Sequence, residues 1–468
     1  MYRGNQIRTD DILLPKQTLY QAELHPEWLK FSKNNVLEQS QTFHINQIMY
    51  IKFMGRVYSS LMVFVCLFLG CSSDISVHTS PQDESSLIES ISDTKYYGVP
   101  RLLINTDRQL NVLDRETDLP ATMRLYAGED SSIVDVHPIT IRGRGNTSWD
   151  GIPKKSYKVE FQKKAPLLGM PENKDWVLIP NYSDKTLIKN YIAYRLSAEL
   201  GVFYTPRCDF VELYLNGQYL GLYLLCEKIK EGKNRVRLPK DSLSYIVEID
   251  FKYRDGEQVI TSGLEVPFRI HYPKNATRKE LRTLLAHLNG FEKELENMDS
   301  STNIAEWIDL DAYIKHFWIQ EALKNPDATF FSSVYFTWTV DTPIRMGPVW
   351  DFDLSMGGHT NAEASDPEGW LTVDSYWNKF LFTDKDFTSQ VQNYWAKNSK
   401  KFYAIIDSVE QSRTRLKEAA LHNFEQWKIL DKKDSSLFNK SYDSYDDAVD
   451  HLKGWLSHRF DWISNQKM

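Results

Sequence analysis

Midway along this 468-residue chain, the spacing of apolar side chains changes from every second residue to every third or fourth. Before about residue 250 the apolar runs are short and several alternate strictly. In 156–161, Tyr157, Val159 and Phe161 fall on one face and Ser156, Lys158 and Glu160 on the other. Runs at 98–105, 121–126, 136–142, 176–181, 211–223 and 245–250 read as further strands. One helix interrupts them over 185–200, with Ser183 or Asp184 at its cap and Gly201 at its end. From residue 278 the pattern becomes helical over 278–296, 310–323, 387–402, 404–420 and 445–463, broken by a strand pair at 333–340 and 344–350. Such a chain folds as α+β, with a β-rich part at about 95–275 and a helical part at about 276–468.

Asn216-Gly217 between two apolar runs is a strong two-residue hairpin signal. That turn pairs position 208 with 225, which leaves Cys208 and Cys226 on opposite faces as buried free thiols. Only a one-residue bulge would bring them together. The length exceeds what one simple core supports and favours two lobes or two domains. A net charge of −7 gives no reason to expect a nucleic-acid partner.

Residues 1–48 lack sustained periodicity and read as an extension outside the domain, with Met49 or Met54 as the natural start. Lys52 and Arg56 then precede the apolar run 61–69, which Gly70-Cys71 closes. That layout over 49–71 resembles a bacterial lipoprotein signal peptide with Cys71 as the lipidated residue. A single-pass anchor is the competing reading. Residues 72–94, rich in Ser, Asp and Glu, read as a flexible tether. The expected location is the bacterial cell envelope, anchored by lipid and facing the periplasm or the surface.

Three segments carry candidate chemistry. Trp350-Asp351-Phe352-Asp353 sets two carboxylates among apolar residues, where charge is costly without a metal, a cation or a basic partner. The plain alternative is a turn whose aspartate caps its own backbone. Arg142-Gly143-Arg144-Gly145-Asn146 offers glycines for close backbone approach and guanidinium groups that match phosphate, or else a hairpin loop with two surface arginines. Of the lysines downstream, Lys155 shares a face with Tyr157 and Val159, so parity favours it over Lys158 as the inward one. Asp327 follows Pro326 at a rigid corner after a helix, so it and the 351–353 pair can converge on one Mg²⁺.

In this order, and with 184–186, 211–217, 220–223 and Glu227-Lys228, these segments resemble the spore-coat protein H (CotH) kinase family, which has an atypical protein-kinase-like, two-lobed fold. The resemblance implies transfer of phosphate from ATP to Ser or Thr of a protein, with Mg²⁺ or Mn²⁺. It makes Asp327 the catalytic aspartate and Asp351 the metal ligand, with Asp353 assisting. It sets the 142–146 loop over the phosphates, with Lys155 or Lys158 touching them and Glu227 orienting that lysine. Ser332-Ser333 stand where many members have an asparagine. The alternative is a weakly active or non-catalytic surface binding module on the same fold. A phosphoryl transferase acting on an envelope polymer is a third reading.

Overall fold

Seven alternating strands, their apolar faces turned inward, close into a barrel in the order β1-β2-β3-β4-β5-β7-β6. They are β1 (Arg101–Thr106), β2 (Leu119–Tyr126), β3 (Ile133–Gly143), β4 (Tyr157–Leu167), β5 (Met170–Ile179), β6 (Cys208–Leu215) and β7 (Gln218–Glu227). Neighbours are antiparallel except at the closure, where β6 runs parallel to β1 with Arg101 opposite Glu212. Val159, Phe161, Trp176, Leu178, Val211 and Tyr223 pack together in the barrel's core. The computed structural model that gives this fold describes residues 95–129, 133–299, 302–433 and 437–467. The expected extension at 1–48, the signal at 49–71 with Cys71, and the tether at 72–94 all lie outside them.

A second, antiparallel sheet has the order β12-β11-β8-β10-β9. Its strands are β8 (Ser244–Ile249), β9 (Val259–Thr261), β10 (Pro267–Tyr272), β11 (Val334–Thr339) and β12 (Arg345–Met346). It therefore draws strands from both sides of residue 275. The long helices are α1 (Lys189–Leu200), α2 (Arg278–Glu296), α3 (Leu310–Ala322), α4 (Lys385–Gln426) and α5 (Tyr445–Asn465). The architecture is α+β, built as barrel, sheet and helices. Among the described residues no helix is long and apolar enough to cross a membrane.

Three local expectations change in the folded chain. Helix α1 starts at Lys189 rather than 185, because Leu187 has a φ of 62° and the Asp184 carboxylate accepts the N–H groups of Thr186 and Lys189. The helices expected at 387–402 and 404–420 are one helix of 42 residues, about 63 Å long, since no glycine or proline separates them. At the Asn216-Gly217 turn both residues have positive φ, and a bulge between Leu213 and Tyr214 shifts the register. Cys208 consequently sits opposite Cys226, and both are thiols.

That bulge also seats the end of α4. Gly221 has a φ of +107°, and a Cβ there would lie 2.6 Å from Asn423 Oδ1. The Asn423 side-chain oxygen accepts from Leu222 N at 3.0 Å and from Lys154 Nζ at 2.8 Å, and Lys154 also donates to Leu222 O. Burial holds the Lys154 amine well below its usual basicity. A buried ion pair ties the helices together in the same manner. Arg459 Nη2 lies 2.7 Å from Glu321 Oε1, with both side chains fully buried. The Glu321 carboxylate also accepts from Leu371 N, Thr372 N and Thr372 Oγ1.

Removing one partner of such a pair leaves a buried charge uncompensated. Glu321→Ala is expected to lower unfolding free energy by about 3–5 kcal/mol in denaturant titration. Glu321→Gln, whose one amide oxygen can still accept from Thr372 N and Oγ1, should lose less.

Candidate active site

A cavity of about 340 Å³ opens between the barrel, the second sheet and the 350–354 segment, within the size range of small-molecule sites. Its barrel wall carries Arg142, Arg144, Gly145, Asn146, Lys158 and Lys228, and Asp327, Asp351 and Asp353 also line it. Polar side chains of the second sheet and its loops complete it, among them Glu248, Asp250, Lys252, Arg269, His271 and Tyr335.

The glycine-arginine loop leaves β3 and turns into a short helix, Thr147–Asp150. Gly143 does not line the cavity. Its N–H donates to Asp114 O at 2.8 Å, and a Cβ there would lie 2.5 Å from the Trp149 ring, so it is a packing glycine. Gly145 has a φ of +88°, and a Cβ there would meet Ser148 Oγ at 2.0 Å. Arg142 is held by Asp118 at 3.2 Å and by Arg115 O. The Arg144 guanidinium lies over the Trp350 ring at 5.4 Å and so joins this loop to the acidic run.

Lys158, not Lys155, reaches the cavity. Lys155 Nζ donates to Trp149 O and Ile152 O, whereas Lys158 lies 2.6 Å from Glu160 and 3.8 Å from Asp175. The parity expectation fails because the cavity lies outside the barrel, so the polar face of β4 addresses it. Glu227 orients no lysine either. It is fully buried and binds Arg235 at 2.6 Å, Arg207 at 2.8 Å and the Tyr204 hydroxyl at 2.8 Å. Lys228 next to it does line the cavity, and burial brings its amine down to about 8, although Asp175 pulls the other way.

The acidic groups are crowded. Burial pushes the Asp327 carboxyl up to about 6, with Asp351 and Asp250 adding to the shift and Lys252 opposing it. Lys252 Nζ lies 3.4 Å from Asp327 Oδ1. Burial weakens that ammonium, but the carboxylates of Asp327 and Asp351 outweigh it and hold the proton on more tightly. Asp353 is driven upward by burial and then by Asp351 and Asp327, and it shares a side-chain hydrogen bond with Asp351. Asp351 has a φ of 64°, a sparsely populated conformation for a residue with a side chain. Its carbonyl accepts from Asn325 Nδ2 at 3.2 Å, and the next N–H, of Phe352, donates to Asn190 Oδ1 at 2.8 Å.

Among the described residues no three His, Cys, Asp or Glu side chains form a ready-made metal cage. Two neighbouring carboxylates suit Mg²⁺, which completes its shell with water and substrate phosphate. The hydrogen bond between Asp351 and Asp353 marks where such a cation would replace a proton.

The sequence pattern marks β8, β11 and β12 as strands but not the second sheet's polar side chains as site residues. Glu248, Asp250 and Lys252 form a period-two series, and Arg269 and His271 continue it on β10, where Arg269 stands opposite Glu248. His271 Nε2 lies 2.6 Å from Glu248, and Arg269 lies 3.4 Å from Glu248 and 3.3 Å from Asp250. Charged residues at every second position of the otherwise apolar run 245–250 were the available signal. Ser332 donates to Asp250 Oδ1 at 3.0 Å.

A raised carboxyl pKa means that the folded protein holds that proton more tightly than the unfolded chain does. Asp327 ionisation therefore removes stability as pH rises from about 3.8 towards about 6. Asp327→Asn has no such loss, so its thermal midpoint relative to the parent should climb across that window and level off above it, without divalent cations. A constant offset from pH 4 to 7 would contradict the crowding.

A family model described as CotH kinase protein matches residues 141–463, well over half of the chain. No curated protein matches it.

Proposed function

Because the chain belongs to the CotH kinase protein family, we propose that it is an atypical serine/threonine protein kinase. It moves the γ-phosphate of ATP to a protein hydroxyl with the help of Mg²⁺ or Mn²⁺. Five carboxylates, Asp327, Asp351 and Asp353 among them, and eight lysine or arginine side chains lining one cavity of about 340 Å³ carry this reading. Phosphoryl transfer needs this combination, because catalysis rests on positioning and on charge neutralisation.

On this reading Asp327 accepts the proton of the acceptor hydroxyl, and a carboxyl raised to about 6 is well matched to that task near neutral pH. Lys252 holds Asp327 in place and keeps a positive charge beside the reacting group. Asp351 and Asp353 would hold the metal, which when bound neutralises and aligns phosphate oxygens. Arg144, Lys158 and Lys228 would take the remaining phosphate charge, with Arg142 held further back by Asp118. Ile152, Val177 and Ile179 give the barrel wall an apolar stretch suited to the base of the nucleotide. The barrel would then play the part of a kinase's phosphate-covering lobe and the helices that of its second lobe. Lipidation at Cys71 and a place in the bacterial envelope belong to the same proposal.

The test is transfer of labelled phosphate from ATP to a serine-containing acceptor with Mg²⁺ or Mn²⁺. Asp327→Asn should cut kcat by about 10²–10⁴, and Asp351→Ala should abolish transfer at ordinary metal concentrations. Lys158→Ala should raise the KM for ATP, while Lys155→Ala should leave it unchanged. Full activity in both aspartate variants would sink the mechanism. A folded parent protein that transfers nothing to any acceptor would favour the binding-module reading.

A further inference from the structure

Aromatic side chains are abundant in this chain, yet among the described residues only Phe251, Tyr253 and Phe331 are exposed by more than a third, at 36%, 41% and 44%. Single exposed rings are ordinary, but three on two adjoining loops are not. Both loops border the candidate active site. Phe331 N donates to Asp327 O at 3.0 Å, and Phe251 N donates to Phe331 O at 2.9 Å. The Phe251 and Phe331 rings lie 6.2 Å apart and nearly parallel, at 13°. Tyr376 supports Phe251 from the side, 5.9 Å away.

Lys252 fixes how far the Phe331 ring stands from the chemistry. Its ammonium is 3.4 Å from Asp327 Oδ1 and 4.8 Å from the centre of the Phe331 ring. The ring and the carboxylate can be no further apart than those two distances laid end to end. That is about the span of two to three residues of extended chain, at roughly 3.3–3.6 Å each.

On the reading that Asp327 serves a polypeptide acceptor, we propose that Phe251, Tyr253 and Phe331 form the docking platform for a bulky apolar side chain of that acceptor, within three residues of its serine or threonine. An extended acceptor whose hydroxyl meets Asp327 runs past these rings. A Phe, Leu or Met there covers apolar surface that is otherwise left in water. Glycine or a small polar residue at the same place leaves the rings wet. The platform therefore selects among hydroxyl-bearing segments, a task the charged cavity cannot perform, since every acceptor presents it with the same hydroxyl.

The experiment uses the full chain and paired peptides that differ only by Phe or Gly near the acceptor serine. Affinity is read by fluorescence anisotropy on versions with Ala in place of that serine, and transfer from labelled ATP is read on the serine versions. The parent protein should bind the best-placed Phe peptide about tenfold more tightly than its Gly partner. Phe331→Ser and Phe251→Ser should bind both at the Gly level, with unchanged thermal midpoints and unchanged affinity for ATP. Phe331→Leu should recover most of the preference. Discrimination in binding with no transfer sustains the platform and defeats the kinase reading; transfer without discrimination does the reverse. Loss of ATP affinity in the ring variants, with peptide discrimination intact, overturns the platform by making the rings part of the nucleotide site.

Discussion

Three carboxylates held close together and largely out of water are a costly arrangement, and much of the surrounding structure exists to tolerate it. Asp327, Asp351 and Asp353 come from two loops; Asp351 raises the cost of ionising Asp327, and both raise it for Asp353. Lys252 offsets part of this from the front, 3.4 Å from Asp327. Lys189 does so from behind, buried in the first turn of α1, where Asp184 and Asp353 help it keep its proton against burial. On the proposed function, a bound cation would offset what these two lysines leave uncompensated.

The scaffold holds this arrangement by buried polar links as well as by apolar packing. Lys154 and Asn423 fasten the long α4 to the bulged hairpin of the barrel. Glu321 and Arg459 join α3, α5 and the 367–372 loop. Such links add directionality that hydrophobic contact lacks, because each donor has one geometry in which it is satisfied. Asn190 and Asn325 serve the same purpose at the site, gripping the peptide that follows Asp351, whose backbone is left-handed.

The three exposed rings beside Asp327 extend the division of labour outward. On the proposed function, charge inside the cavity would meet the phosphate and apolar surface at its edge the acceptor. Lys252 touches both, with its ammonium beside the carboxylate and over the Phe331 ring.

Much of this was legible from local pattern. Strand alternation, the Asn216-Gly217 turn and the acidic run at 351–353 are short-range properties, decided by neighbours a few residues away. The α+β class and most site aspartates and arginines follow from them. Which face of a strand meets the cavity is a different matter. Lys158 rather than Lys155 reaches it because the site lies outside a closed barrel, and barrel closure depends on β6 pairing with β1 more than a hundred residues away. Glu227 pairs with Arg235 and Arg207 instead of a lysine for the same reason, since burial on the barrel's rim selects its partners. The chain's own pattern determined its elements and its candidate groups; only the long-range packing decided which of those groups face one another, because side-chain direction in a strand has no meaning until the sheet has an inside.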